Sequence, residues 1–455
     1  MYRTLDQGEG IINKTNLTKM KIIHEKIITK LMFLAVILFT VGIVGCSDSK
    51  TEMVGDPQLE SYSPQSGQGG SEIIIKGNHF GESISDVQVW INEIPAEVIN
   101  VTQTRIYAVV PTAAGSGVIK VVVRGKEFNP ENPFIFEYVR NVSTYSGSGA
   151  PVSVDGTLRQ ASFNRPYWLA YDKKDNALFV LEEGRKIRRI KDGNVETVAS
   201  LHGSINNPRS ITMSITCDTL FIGNDNGGDN SNVTVAILTR DNDFRVQKDL
   251  VKSQNETKHV NFAGIHPVTG DLIFYTWLRK LYKWNKENNK VELLYDLAGF
   301  SGITADFYAN FCFSPDGTTM YVIIKYPYIG ILKANYDIAS KSIVGEFEKL
   351  AGTGSWGAND GTGADASFDQ PAQAVVDQNG NMYIAEKFNH WVRQVSPAGV
   401  VTRYAGDGGA GNQGFADGDM YNAKFNEPEG IAFDKDGNMY VADLQNCRIR
   451  IIKNE

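Results

Sequence analysis

The residues best suited to bind a ligand in this chain come directly after landmark positions that recur along the chain. Most of these landmarks are prolines, and other residues take the equivalent place in the remaining cases. Aromatic, amide and charged side chains occupy the one or two positions after each of these points. Aromatic rings stack on the C–H faces of sugars, while planar polar groups satisfy sugar hydroxyls. The pattern predicts a carbohydrate site, and its candidate residues are Tyr167, Trp168, Arg209, Phe262, Asn310, Gln373 and Glu429. The alternative is that Tyr167 and Trp168 pack against neighbouring strands.

A second set of candidate ligand-binding residues ends short apolar segments in the same part of the chain. It consists of Glu182, Asn224, Glu386 and Asp443. Their oxygen atoms are of the type that binds calcium, so one interpretation is a structural or channel calcium ion. The other is that each acidic residue stabilises its own repeating unit. Beyond this calcium ion, we predict no cofactor.

Histidines and known catalytic motifs give less support to an enzyme. The histidines of this region are His202, His259, His266 and His390, and they do not fall at matching positions of the repeat. The sequence contains neither a G-x-S-x-G nor an HExxH motif. The sequence therefore favours a binding protein, with a metal-dependent lyase or lactonase as an alternative.

The candidate residues belong to a repeat that extends over residues 141–455. Its clearest copies are Ala423–Asp443 and Ala366–Glu386. Pro166 and Pro428 lie five copies apart, which gives about 52 residues per copy. Each copy contains a short apolar strand, a turn of the Asp-x-x-Gly type, a second apolar strand, a basic strand and a final strand. This length suits a four-stranded blade, so the sequence predicts a six-bladed β-propeller.

The two ends of the repeat region predict how the ring closes. The last copy stops at Glu455 before a fourth strand can form. The segment Asn141–Gly147 matches the type and position of the fourth strand Val400–Gly406 of the preceding copy. We therefore expect the N-terminal segment to complete the last blade, which removes an exposed edge strand.

The repeat resembles the NHL family. The resemblance is carried by Phe425–Ala432, by Asp434–Asp443 with its Asp-x-x-Gly-Asn-x-Tyr-Val-Ala-Asp pattern, and by Asn446–Arg450. The fifth copy is close to the sixth, the first is intermediate, and the second to fourth are degenerate. The resemblance implies a β-propeller whose ligands meet the channel mouth.

Residues 57–139 predict a small antiparallel β-sandwich. Short β-branched segments alternate with turn residues, as in Val87–Ile91 and Val118–Val123. The segment Ser63–Gly67, the pair Gly69–Gly70 and the stretch Ile73–Gly81 resemble the IPT/TIG family of immunoglobulin-like domains. The resemblance implies a spacer or interaction module, so the fold class is all-β, with a sandwich before the propeller.

The N-terminal 45 residues predict a signal peptide. Leu31–Val44 is mostly apolar and too short to span a membrane comfortably as a helix. Lysines precede this segment, and Met20 is an alternative start. Ile43–Cys46 resembles a bacterial lipobox, which implies lipidation of Cys46 and anchoring to a membrane. Residues 46–56 then form a lipidated tether, and Ser47 favours the outer membrane over the inner membrane.

Composition restricts the classes of partner. The net charge of −7 argues against nucleic acid, because phosphate binding requires a basic surface. The remaining cysteines, Cys217, Cys312 and Cys447, are far apart, which predicts buried thiols rather than disulfides or a zinc site.

The order of the parts indicates a function at the cell surface. A lipid anchor, a tether, a sandwich and a propeller would hold a binding domain away from the membrane. This order resembles the surface glycan-binding lipoproteins of polysaccharide-utilisation systems. The resemblance implies a glycan ligand, attachment to the outer membrane, and a neighbouring transporter or envelope protein as partner. A protein-interaction scaffold is the second alternative.

Overall fold

The computed structural model describes residues 55–454, apart from residues 112–113, 138–139, 226–232, 254–256, 258, 301–307 and 410. The predicted signal peptide, the Cys46 lipidation site and most of the predicted tether lie outside the described residues. The described part is built from β-strands and a few short 3-10 turns, which are Ile84–Asp86, Arg240–Asn242, Leu297–Gly299 and Gly363–Asp365. Within it, no helix is long and apolar enough to cross a membrane.

The N-terminal strands form a β-sandwich. Seven strands are joined in the order β1-β3-β6-β5-β4-β7-β8, and β2 pairs with β9 in parallel. The strands are β1 (Gln58–Ser63), β2 (Ser66–Gly67), β3 (Glu72–Asn78), β4 (Val87–Ile91), β5 (Ile94–Thr102), β6 (Arg105–Val109), β7 (Ile119–Val123), β8 (Lys126–Phe128) and β9 (Ile135–Phe136).

The sandwich encloses a core because one strand, β5, belongs to both halves of its sheet. The first residues of β5 pair with β4, and the residues from Glu97 onward pair with β6. Alternate residues of β3, β4 and β7 point inward and are buried, as expected for strands with one face against a core. Phe80 and Phe134 fill the centre and are fully buried.

The rest of the described chain forms six blades, which confirms the predicted propeller. Blade one consists of β11 (Gly156–Thr157), β12 (Pro166–Asp172), β13 (Ala177–Glu182), β14 (Lys186–Lys191) and β15 (Asn194–Ser200). Blade two consists of β16 (Pro208–Met213), β17 (Thr219–Asn224), β18 (Val233–Thr239) and β19 (Lys248–Lys252). Blade three consists of β20 (Val260–Ile265), β21 (Leu272–Thr276), β22 (Lys280–Asn285) and β23 (Lys290–Asp296). Blade four consists of β24 (Tyr308–Phe313), β25 (Thr319–Tyr326), β26 (Ile329–Asp337) and β27 (Ser342–Gly354). Blade five consists of β28 (Gly361–Thr362), β29 (Pro371–Val376), β30 (Met382–Glu386), β31 (Trp391–Val395) and β32 (Val400–Ala405). Blade six consists of β33 (Gly418–Asp419), β34 (Pro428–Phe433), β35 (Met439–Asp443), β36 (Arg448–Asn454) and, from the N-terminal end of the repeat region, β10 (Arg140–Ser146).

The ring closes where the two ends of the repeat region meet. Strand β10 pairs antiparallel with β36 and so supplies the outer strand of blade six. Val142 of β10 is buried in the core of that blade. The predicted completion of the last blade by the N-terminal segment is therefore confirmed.

The innermost strand of each blade lies against the next, from β12 through β16, β20, β24 and β29 to β34 and back to β12. Such close approach needs small side chains. At Gly430 an added Cβ would lie 2.9 Å from the Cβ of Ala442 and 3.1 Å from the Cα of Trp168. Glycine at this position therefore allows blades six and one to meet around the channel.

Candidate functional site

One end of the propeller channel opens into a small polar cavity of about 120 Å³, which we call the mouth. The residues that line it are Tyr167, Trp168, Arg209, Asn261, Tyr308, Ala309, Asn310, Lys325 and Glu429. They come from the first residues of the innermost strands and from the end of β25. The structure thus brings together five of the predicted binding residues: Tyr167, Trp168, Arg209, Asn310 and Glu429.

Strand pairing corrects the position of Phe262. In blades one and two, Trp168 and Ser210 are the second residues after the prolines that begin the innermost strands, Pro166 and Pro208. In blade three Val260 pairs with Thr276, so Phe262 corresponds to Trp168 and lies one layer deeper than predicted. Asn261 takes the place at the mouth that the sequence analysis gave to Phe262.

The deeper layer closes the channel below the mouth. The Gln373 side-chain oxygen accepts hydrogen bonds from the backbone N–H groups of Leu169 (3.0 Å) and Ile431 (3.1 Å), and its amide nitrogen donates to the Leu169 carbonyl (2.8 Å). The rings of Trp168 and Phe262 pack at 5.4 Å. Gln373 therefore serves to hold blades five, six and one together.

Beyond this layer lies a mostly apolar channel of about 330 Å³. Trp168 and Asn310 line both this channel and the mouth. The Asn310 amide nitrogen donates to the Ala372 carbonyl at 3.0 Å. These residues form the floor of the mouth, and they separate its polar groups from the apolar channel.

Two tyrosines form aromatic sides of the mouth. The hydroxyl of Tyr167 donates to the Pro208 carbonyl at 2.8 Å, which fixes the ring between blades one and two. Tyr308 meets the ring of Trp277 edge-on, with centroids 4.0 Å apart. Burial raises the pKa of both tyrosine hydroxyls, so both stay neutral at physiological pH.

The charged groups of the mouth are mostly paired. Arg209 contacts Asp225 at 3.1 Å, and Glu429 contacts Lys387 at 2.9 Å. Lys325 makes no ion pair with a carboxylate that the structure describes, although Glu429 is its main opposite charge. Burial lowers the pKa of Lys325, and the charge of Glu429 opposes this effect.

Asn261 presents an amide whose hydrogen-bonding capacity is unused by the described protein. Both its side-chain oxygen and its nitrogen are buried without a hydrogen-bond partner among the described residues. Buried polar atoms are paired in the great majority of cases, so an unpaired amide that lines a cavity requires an explanation. A ligand in the mouth would supply the missing donor and acceptor.

The positions of the second set of predicted residues agree with the alternative that each acidic residue stabilises its own repeating unit. Glu182, Asn224, Glu386 and Asp443 are fully buried within their blades. Each accepts a hydrogen bond from a backbone N–H that precedes the innermost strand, for example that of Asn164 (2.9 Å) onto Glu182. They therefore stabilise the blade rather than face the mouth.

The three carboxylates of this set pair with three buried arginines. Their ion pairs are Glu182–Arg188 (3.2 Å), Glu386–Arg393 (3.1 Å) and Asp443–Arg450 (3.0 Å). Burial raises the pKa of Glu386 to about 7 and that of Asp443 to about 6, and in both cases the arginine opposes the rise. A calcium ion at these residues stays a prediction, but each carboxylate has an arginine of its own blade as its cation.

The histidines make contacts within the fold. His266 is buried, accepts backbone N–H groups of Val268 and Thr269, and lies 3.0 Å from the Gly317 carbonyl. His390 accepts the Glu427 N–H at 3.1 Å. Across the described ranges, no group of three or more His, Cys, Asp or Glu residues is placed to hold a metal ion.

The sequence pattern does not identify Asn261, Tyr308 and Lys325 as residues of the mouth. Alignment on the second strand, where Thr276 ends β21, would have placed Asn261 correctly. Lys325 follows the apolar segment Met320–Ile324 at the end of β25, and a lysine there was the available signal. Blade four is among the degenerate copies, so its strand end was not aligned.

Comparison with protein families agrees with the two predicted modules. Residues 57–138 match the IPT/TIG domain, and residues 425–452 match the NHL repeat. Residues 57–138 form an IPT/TIG domain, and the propeller carries an NHL repeat. The chain is also similar to the protein SUPPRESSOR OF QUENCHING 1, chloroplastic, of Arabidopsis thaliana, with 27% identity over 314 residues. That similarity covers 67% of this chain but spans only 26% of the plant protein.

Two solved structures resemble nearly the whole described chain. An auxiliary nutrient binding protein from Bacteroides thetaiotaomicron is 26% identical, with a TM-score of 0.62 and coverage of 88% of this chain and 98% of that one. A second auxiliary nutrient binding protein, from Bacteroides ovatus, is 22% identical, with a TM-score of 0.66 and the same coverage. The second similarity shows the shared fold alone.

Proposed function

We propose that this protein is a non-catalytic glycan-binding protein of the cell envelope, which binds an oligosaccharide at the mouth of its propeller. The observation that carries the proposal is the unpaired amide of Asn261 in a cavity bordered by Tyr167 and Tyr308. Sugars present apolar C–H faces and hydroxyls that both donate and accept hydrogen bonds. Aromatic rings beside an amide match both properties.

Exposed aromatic residues of blades four to six suit a ligand longer than one sugar. They lie at or close to the ends of strands: Tyr326 (49% exposed), Trp356 (64%), Phe388 (44%) and Phe415 (47%). The Asn389 amide binds the Gly357 carbonyl at 2.8 Å and so joins the turns of Trp356 and Phe388. Separate exposed rings flanked by polar groups are suited to stack on successive sugars.

The position in the cell envelope is proposed from two sources. The sequence predicts a signal peptide and a lipidated Cys46 before the described residues. The similar structure from Bacteroides thetaiotaomicron is an auxiliary nutrient binding protein, and it covers nearly the same length of chain. A lipid-anchored outer-membrane protein at the cell surface accommodates both, and a neighbouring transporter would receive the glycan.

Calorimetric screening against a glycan panel tests the proposal. The protein is the soluble form from Ser47 onward, measured with and without a chelator. The variant Asn261→Leu keeps the approximate side-chain volume and removes the amide. The matched control is Asn194→Leu, the same change at an exposed position of β15 in blade one.

We expect binding of at least one glycan that persists with chelator and weakens about tenfold in Asn261→Leu, in line with the loss of ligand hydrogen bonds. Asn194→Leu should bind as the unaltered protein does. Absence of binding to every glycan would overturn the proposal. Turnover of a glycan or lactone that the chelator abolishes would instead assign the protein to the enzyme class.

A further inference from the structure

The charged groups around the mouth differ in how they are paired. Asp225 offsets Arg209, and Glu429 lies 2.9 Å from Lys387. Glu427 also approaches Lys387, at 3.5 Å. Lys325 is therefore the cation of this group that has no carboxylate of its own among the described residues. These six charges sum to zero, so what distinguishes Lys325 is the lack of a direct ion pair within the described residues rather than a net charge of the mouth.

The position of Lys325 makes its ammonium available to a ligand. It lies near the C-terminal end of β25 and lines the cavity together with Asn261 and Tyr308. Holding an ammonium partly buried without a partner costs free energy, because burial removes water from the charge. Lysine is otherwise rare in the interior of proteins unless it is paired.

We propose that the glycan recognised at the mouth is acidic, and that Lys325 binds its carboxylate or sulfate group while Asn261 binds an adjacent hydroxyl. This inference rests on the proposed glycan-binding function and names the chemical class of the ligand. The acidic group supplies the negative charge that Lys325 lacks. The ammonium donates to the anionic oxygens, and such charge-assisted hydrogen bonds are among the strong ones in proteins.

A second cation, Arg209, lines the same cavity as Lys325. Arg209 is held by Asp225 but still adds to the positive potential, and its buried Nε has no partner among the described residues. Glu429 lines the same cavity and is offset by Lys387, 2.9 Å away. An acidic sugar in the cavity thus meets two cations, Lys325 and Arg209, and one carboxylate that already has a cation of its own.

Matched pairs of polysaccharides test the inference. The probes are oligogalacturonate and its carboxyl-reduced form, a sulfated galactan and its desulfated form, and neutral glucans. Each is titrated into the soluble protein and into Lys325→Met, Lys325→Arg and the control Lys333→Met. Lys333 is a lysine of the same blade that pairs with Glu348 at 3.2 Å on outer strands, so its removal changes net charge equally.

We expect an acidic probe to bind and its neutral counterpart to bind at least about tenfold more weakly. The pair that shows the difference identifies carboxylate or sulfate as the acidic group. Lys325→Met should lose about the same factor, Lys325→Arg should retain most of the affinity, and Lys333→Met should retain all of it.

Two results would overturn the inference in different ways. Binding of neutral glucans with an affinity that Lys325→Met does not change would reject acidic specificity and leave glycan binding intact. Absence of binding to all glycans would remove both proposals. Equal losses in Lys325→Met and Lys333→Met would show an effect of net charge alone and would also reject the role of Lys325.

Discussion

At the scale of single residues, two asparagines differ in how the protein uses their amides. Asn224 uses its amide to bind the Asn207 N–H (2.9 Å) and the Val233 carbonyl (2.8 Å) within blade two. Asn261 has no comparable partner among the described residues, although its amide atoms are equally hidden from solvent. The buried amide of Asn261 has no compensating hydrogen bond among the described residues, and the proposed ligand would supply one.

The same substitution should therefore act in opposite directions at these two positions. Asn261→Leu removes two unpaired buried polar atoms, so the free energy of unfolding should stay unchanged or rise by about 1 kcal/mol. Asn224→Leu leaves its partners unpaired and should lower that free energy by about 2–3 kcal/mol. Urea unfolding of the ligand-free protein measures both. Equal destabilisation by the two variants would show that Asn261 is structural.

The affinity for an acidic glycan should depend on pH through Lys325. Its pKa is lowered by burial, with Arg209 and Lys387 adding to the decrease and Glu429 opposing it. Only the protonated ammonium binds an anion, so affinity should fall as pH rises through this lowered pKa, below the usual value of about 10.4. Titrations between about pH 7 and 10 measure it. Lys325→Arg should abolish the fall, since guanidinium stays charged throughout; an unchanged profile would contradict the prediction.

The sequence could predict the aromatic and charged character of the mouth but not its full membership. Tyr167 and Glu429 lie in copies with a clear Pro landmark, and both line the mouth in the structure. Asn261 and Phe262 lie in a copy without that proline. There, an alignment that is wrong by one residue assigns a residue of the deeper layer to the mouth. Lys325 and the charges around it come from four blades that are far apart in the sequence, so no short sequence segment could predict how they are paired.

At the scale of a blade, a buried ion pair is repeated in blades one, five and six. In blade five Arg393 contacts Glu386 at 3.1 Å, Asp360 at 2.8 Å and the carbonyls of Ser367 and Asn359. One guanidinium thus joins the second and third strands to the segments that precede the innermost strand. These three blades are also the ones in which the repeat is clearest in the sequence.

Removal of one partner of this ion pair should destabilise the protein. Arg393→Met leaves Glu386 buried without its cation and should lower the free energy of unfolding by about 3–5 kcal/mol, measured in urea. The loss should be smaller at pH 5 than at pH 8, because protonation removes the unpaired charge and the pKa of Glu386 is already raised by burial.

Two further variants separate the ion pair from general effects. The double change Arg393→Met with Glu386→Leu should recover part of the stability, since no charge is then left buried. Arg403→Met, on the partly exposed outer strand β32 of the same blade, should cost less than about 1 kcal/mol. A loss as large in Arg403→Met as in Arg393→Met would contradict the role of the pair.

At the scale of the whole molecule, closure of the ring could be predicted from the sequence because it is a matter of counting strands. The last copy lacks one strand, and Asn141–Gly147 has the pattern of the missing one. The structure places β10 beside β36, with Val142 opposite Ile452. The function of the ring could not be predicted with equal detail, because the same six blades enclose a polar mouth at one end and an apolar channel at the other.

Closure by β10 should make a large contribution to the stability of the ring. Val142 is 1% exposed in the core of blade six, so Val142→Asp would place a carboxylate among apolar side chains. We expect a loss of about 3–5 kcal/mol in the free energy of unfolding, together with faster proteolysis of the segment that contains β10. The control is Val152→Asp, the same change ten residues later at a position that is 51% exposed, and it should be close to neutral. If the two variants unfolded alike, β10 would contribute little to the ring, and the exposed edge of β36 would have to be stabilised without it.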